Sequence, residues 1–210
     1  IVAIVGVVAA NMNNILWIDH HATCIGSLIM PWSYTVNTGR YFYQQYLLNR
    51  DEILLPDATI TNDDREVVVL VIGESARKAN FSLYGYAKHT NPLLKDDGVV
   101  ALVADASATY TTEGVKAILD HKPTGELYEI LPNYLYRNGV DVIWRSYNWG
   151  QPPLHIEKYI NHKGLAERYP DADARYDGLL LEGLKEEIES CDKDKQLIVL
   201  HTGTSHGPTY

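Results

Sequence analysis

Six near-continuous apolar residues, Val67 to Ile72 in the stretch EVVVLVIGESARKANFSLYGY, constrain this chain more than any other feature. The run is rich in β-branched types, which is how a parallel strand buried on both faces reads. It stops at Gly73, and Glu74 follows where the strand gives way to a loop or helix. In open α/β sheets ligands collect at the carboxyl ends of strands, so an acid there is positioned to meet substrate or metal. The other reading of Glu74 is a cap on the next helix.

The same arrangement recurs along the chain. Arg77 to Tyr84 is expected to be helical, with Asn91-Pro92 ending that region. Val99 to Val103 is expected to be a second strand, leading through ADASATYTT into a helix whose apolar face is Val115, Ile118 and Leu119. A threonine at the start of that helix has its oxygen beside the positive end of the helix dipole, which favours an alkoxide; otherwise it is an N-cap. Asn138-Gly139 is a turn, and Val140 to Trp144 is another buried strand, followed by Arg145, Ser146, Tyr147 and Asn148. GQPPLH reads as a loop. Tyr176, Leu180, Leu184 and Ile188 outline an amphipathic helix with Lys185, Glu186, Glu187 and Glu189 on its solvated face. Gln196 to Leu200 is the last strand, with His201 and His206 at its end and Gly203 and Gly207 letting backbone approach a ligand closely.

Composition narrows the partners. The 210 residues are 46% hydrophobic, enough for one sizeable core. With 27 acidic against 18 basic residues the net charge is −9, and no Lys/Arg cluster marks a nucleic-acid surface. Cys24 and Cys191 stand far apart and form no metal-ligand spacing.

The N-terminal IVAIVGVVAA is ten apolar residues long, too short to span a bilayer, and lacks the basic flank of a signal peptide. Residues 1–16 are expected to be the end of a truncated transmembrane segment, with a buried core segment as the alternative. Trp17, Trp32, Tyr34, Tyr41, Phe42, Tyr43 and Tyr46 then crowd into thirty residues around a short apolar patch, Gly26 to Met30. Such rings sit at headgroup level, so residues 17–55 are expected to form a helical segment lying on the membrane interface. Residues 56–65, PDATITNDDR with a Pro and adjacent acids at the end, read as a linker, and a soluble domain is expected over 66–210.

Three of these stretches, VIGESARKANFSLYGY with TNP, PWSYTVNTGRY, and LIVLHTGTSHGPTY, resemble the phosphoethanolamine transferases of Gram-negative inner membranes, a family that includes the mobile colistin-resistance enzymes. The resemblance covers nearly the whole chain. It implies a periplasmic catalytic domain of the alkaline phosphatase and sulfatase type, an α/β/α sandwich, preceded by transmembrane helices and an interfacial bridge. It also implies zinc-dependent transfer of phosphoethanolamine from phosphatidylethanolamine to a threonine and then to lipid A, lipooligosaccharide core or another acceptor. Glu74 matches the family's glutamate zinc ligand, and Thr111 matches the nucleophile, itself a zinc ligand, with Thr109 and Thr112 as rivals if the register slips. His206 matches the histidine of an HGP motif that contacts the phosphoryl group or a second zinc, and Asn148 a pocket asparagine. Some members flank the nucleophile with paired cysteines; Ser107 and Ala117 stand at those places here. The family's aspartate–histidine zinc pair lies in an SDHGES-like segment that would follow Tyr210, so the chain is expected to be a fragment. Other readings of the same residues are a phosphoglycerol transferase, a sulfatase or phosphatase of the same fold, or a membrane-anchored binding module without catalysis.

Overall fold

A computed structural model of the chain describes residues 6, 32–48, 50–96, 98–124, 126–204 and 206. Apart from Gly6, the expected transmembrane remnant over 1–16 lies outside the described residues, as do residues 17–31 of the bridging segment, with Cys24. The chain divides into two compact units, Ile1–Asp51 and Glu52–Tyr210. In the first, helix α1 runs Trp32–Leu48 and exposes Tyr34, Tyr41, Phe42, Tyr43 and Tyr46, with Tyr41 and Phe42 packed edge to face at 5.6 Å. No helix among the described residues is long and apolar enough to cross a membrane.

Among the described residues the second unit is built on four parallel strands: β1 (Glu66–Ile72), β2 (Asp141–Ser146), β3 (Lys158–Asn161) and β4 (Lys195–His201), in the order β1-β4-β2-β3. Strands β2 and β4 are buried along their whole length, as continuous apolar runs require. Their side chains alternate between two cores. Val142, Trp144, Leu197 and Val199 join Ile72, Ile130 and the helix residues Val115 and Leu119 on one face. Ile143, Ile198 and Leu200 meet Leu165, Leu179, Leu180 and Leu184 on the other. The helices are α2 (Pro92–Asp96), α3 (Thr111–Leu119), α4 (Leu131–Arg137), α5 (His162–Arg168) and α6 (Leu184–Glu189). Residues of α3 line the first core, residues of α5 and α6 the second, which makes the unit an α/β/α sandwich.

Several elements differ from expectation. Strand β1 is not buried on both faces: Val67, Val68, Val69 and Val71 are exposed, because among the described residues β1 pairs with β4 alone and only its C-terminal end, Leu70 and Ile72, reaches a core. Val99 to Val103 forms no strand and stays exposed; apolar content alone gives no ladder where no partner strand lies alongside. Arg77 to Tyr84 folds as two 3₁₀ turns, Lys78–Asn80 and Ser82–Tyr84. The helix expected through Tyr176 to Ile188 is split into a 3₁₀ segment, Asp177–Leu181, and α6, because Gly183 between them takes a left-handed φ of 60°. Strand β3 and helices α4 and α5 have short, weakly periodic sequences and escape pattern reading; α5 is nonetheless capped, by Asn161 accepting from Gly164 N at 2.9 Å.

Residues 53–58, expected to close the bridging segment and open the linker, are strapped to this unit. Ile53 pairs with Tyr128 in an isolated parallel bridge, and Leu55 N donates to Glu129 Oε1 at 2.6 Å. Glu129 is buried and takes Arg137 on both oxygens, at 2.6 and 3.2 Å, while Arg137 also donates to Leu55 O and to Asp57.

Candidate active site

All four strands end on one rung. Ile72, His201, Ser146 and Asn161 lie in register across the sheet, so the loops that leave the strands open on one edge. The loop after β1 carries Glu74, the loop after β2 Asn148, and the loop after β4 Thr202 to His206. Thr111 reaches the same place from the first turn of α3.

Glu74 is the meeting point. Its Oε2 accepts from Thr111 Oγ1 at 3.1 Å and from Asn148 Nδ2 at 2.5 Å, and its Oε1 from Ser75 Oγ at 3.1 Å. Partial burial works against the carboxylate, but the Ser75 backbone N–H and the Thr111, Ser75 and Asn148 side chains together hold its pKa below the usual value. Glu74 caps no helix, since the next helical turn begins at Lys78 behind Arg77. Thr111 is not an N-cap either: Tyr110 holds that position, and the Thr111 hydroxyl is spent on Glu74. Of the three candidate threonines, Thr111 is the one that meets the carboxylate; the Thr112 hydroxyl instead faces Gly150, where an added Cβ would stand 3.2 Å from it.

Asn148 is held firmly. Ser146 Oγ donates to Asn148 O at 2.6 Å and accepts from Asn148 N at 3.2 Å, and Asn148 Oδ1 accepts from Trp149 N at 2.8 Å. That orients the amide so that Nδ2 points at Glu74. Ser146 Oγ also lies 3.3 Å from Nδ1 of His201, which is fully buried. Burial pushes the His201 imidazole below its ordinary pKa, against the opposing pull of Glu74 and Asp177, so the ring is neutral near pH 7. Asp177 fixes the last loop: Gly203 N donates to it at 2.8 Å, Thr204 N at 3.2 Å, and Thr204 Oγ1 also donates. The His206 ring lies 5.9 Å from that of Trp149, and its backbone N–H donates to Gly203 O.

The expected residues Glu74, Thr111 and Asn148 therefore converge, and His206 lies beside Trp149. Sequence reading passed over Ser75, Asp177 and Trp149, and it placed His201 at a strand end without a role. A serine next to a strand-end acid, and an aromatic next to a strand-end amide, were the signals available. A carboxylate and a hydroxyl 3.1 Å apart are oxygen donors of the kind zinc accepts, and they fit two positions of a four-coordinate ion. Among the described residues no three His, Cys, Asp or Glu side chains gather into a complete site.

Comparison with known proteins gives a consistent picture. Residues 66–210 match the sulfatase family. Phosphoethanolamine transferase EptA of Helicobacter pylori is 38% identical over 207 residues, covering 96% of this chain and 39% of that protein. The chain thus spans well under half the length of this curated relative. The integral membrane lipooligosaccharide phosphoethanolamine transferase A of Neisseria meningitidis shares the fold over the whole chain and 42% of its own, with a TM-score of 0.73 at 23% identity. The C-terminal periplasmic domain of EptC from Escherichia coli, solved as a complex with Zn, superimposes over 73% of the chain and 49% of that domain with a TM-score of 0.57 at 22% identity.

Proposed function

The chain belongs to the sulfatase family, in its phosphoethanolamine transferase branch, and from that premise we propose that it forms part of an enzyme that moves phosphoethanolamine from phosphatidylethanolamine to lipid A, lipooligosaccharide core or another periplasmic acceptor through Thr111. The observation that carries the reading is the 3.1 Å hydrogen bond from Thr111 Oγ1 to Glu74 Oε2, made across 37 positions of sequence. A hydroxyl held at a helix N-terminus, with its proton on a carboxylate kept ionised by three other donors, is prepared to become an alkoxide.

In the first half-reaction Thr111 Oγ attacks phosphorus. The Oγ–P bond forms, the bond from phosphorus to the glycerol oxygen breaks, and diacylglycerol leaves with the proton that Thr111 gave up. In the second, an acceptor hydroxyl oxygen attacks the same phosphorus, the Oγ–P bond breaks, and Thr111 is released carrying the proton that the acceptor gives up. Splitting one transfer between two lipids into two displacements lets each lipid occupy the site in turn. Glu74 and Thr111 would hold Zn²⁺, which when bound lowers the pKa of a ligated hydroxyl and neutralises phosphoryl charge. Asn148 fixes the Glu74 carboxylate and His206 is the substrate-side group of the loop after β4. The exposed rings of α1 favour a place on the outer surface of the inner membrane, with the α/β unit in the periplasm.

Mass spectrometry of lipid A and lipooligosaccharide from cells expressing the protein tests this. Added phosphoethanolamine, lost in Thr111→Ala, is the expected result. Added phosphoglycerol, or release of free phosphate or sulfate without transfer, would overturn it.

A further inference from the structure

Trp149 is one of the most exposed large side chains of the α/β unit, 75% accessible, yet its backbone is tied into the candidate site. Its backbone N–H donates to the asparagine that holds Glu74, and its ring lies 5.9 Å from that of His206, tilted by 49°. The next residue, Gly150, adopts a left-handed φ of 105° and packs against α3: a Cβ there would come within 3.2 Å of Thr112 Oγ1 and 3.8 Å of Thr111 Cγ2. A loop pinned at both sides, on Asn148 and on the first turn of α3, therefore presents an open indole beside the His206 ring. Leaving an indole that exposed forfeits the burial that ordinarily stabilises it, and nothing in the cores of the unit requires it there.

We infer that the exposed indole of Trp149 recognises the primary ammonium group of the substrate headgroup, making it the specificity-determining residue of this site. The inference rests on the transferase reading above. A cation over the face of Trp is attracted by the ring quadrupole, and Trp is the strongest of the aromatic side chains in this role. The carboxylates at this edge are otherwise engaged: both oxygens of Glu74 and both of Asp177 already accept hydrogen bonds from their neighbours. A phosphoryl group placed at Thr111 leaves an ethanolamine arm of a few ångströms to find a partner, and the loop that packs on Thr111 is the one that carries the indole.

The test compares two soluble ligands that differ by the ammonium alone, phosphoethanolamine and ethyl phosphate, by calorimetric titration of the full chain in zinc-containing buffer. The wild type is expected to bind phosphoethanolamine about 2- to 30-fold more tightly, the range of a cation–π contact between exposed and desolvated. Trp149→Ala should remove that preference while binding ethyl phosphate as before, and Trp149→Phe should keep part of it, with circular dichroism confirming that both variants fold. A preference that survives Trp149→Ala, or a wild type that binds both ligands equally, overturns the inference and leaves the transferase reading standing. A wild type that binds neither ligand contradicts the transferase reading and the inference with it. If Trp149→Ala weakens attachment to vesicles of phosphatidylglycerol without altering headgroup preference, the ring is a bilayer anchor and the inference fails.

Discussion

Glu74 shows what a single residue position can carry. Its carboxylate receives Thr111, Asn148 and Ser75 at once, so removing it unties three side chains from one another. Changes outside the metal's own ligands already cost roughly 10- to 100-fold in metal affinity, so Glu74→Ala is expected to lower zinc affinity by at least that much. Competition with a chelator measures it, and an unchanged affinity would remove Glu74 from the proposed ligand set. Glu74 and Asn148 were legible because each follows an apolar strand directly. Asp177 was not, because it belongs to no strand end: it reaches the loop after β4 from a 3₁₀ turn, and only the fold brings the two together. His206 was legible as part of a motif, and the structure sets its ring beside that of Trp149.

At the scale of elements, two local devices hold the framework of the site. The first is the left-handed Gly183 that breaks the expected helix and lets the Asp177–Leu181 turn face the β4 loop. A Cβ at Gly183 would also collide with the Tyr169 hydroxyl. Gly183→Ala is therefore expected to destabilise the protein by more than about 1 kcal/mol, read from denaturant unfolding, whereas Gly178→Ala, where an added Cβ meets nothing, should do so less. Amphipathic spacing could not reveal this break, since Leu180 and Leu184 keep the helical interval while the backbone between them does not.

The second device is the strap over residues 53–58. Hydrogen bonds from Arg137 hold the Glu129 carboxyl below its usual pKa, more than burial raises it. A depressed carboxyl pKa contributes stability that is present above the unfolded value, about 4.3, and is lost as pH falls through the folded one. Thermal unfolding should accordingly show a fall in Tm between about pH 5 and pH 2 that is smaller in Glu129→Gln than in the wild type. An equal fall in both would mean that the strap does not titrate through Glu129. A run of Pro and acids reads as a linker when its partners, Glu129 and Arg137, lie some eighty positions away.

For the molecule as a whole, the sheet is the frame on which chemistry is mounted, and the parallel arrangement is what puts every functional loop on one edge. Strands β2 and β4 were legible from the continuous apolar runs at their centres, Val142 to Trp144 and Leu197 to Leu200; β1 looked similar in sequence but pairs with one neighbour only among the described residues. Strand position in a sheet is a property of the fold, which a six-residue run does not encode. Trp144 shows how tightly the frame is built: it is fully buried in the first core, its ring edge-on to the His201 imidazole at 6.2 Å. Trp144→Ala should cost about 3–5 kcal/mol of stability, and a loss under 1 kcal/mol would contradict the packing described for that face.

The central claim is that Thr111, held on Glu74, takes the phosphoryl group. Incubating membranes that contain the protein with phosphatidylethanolamine carrying an isotope-labelled headgroup, quenching in acid and mapping the labelled peptide addresses it directly. One phosphoethanolamine on Thr111, and none on the Glu74→Ala protein, is the expected result. Label on Thr109 or Thr112, or label on Thr111 that persists undiminished without Glu74, would contradict it.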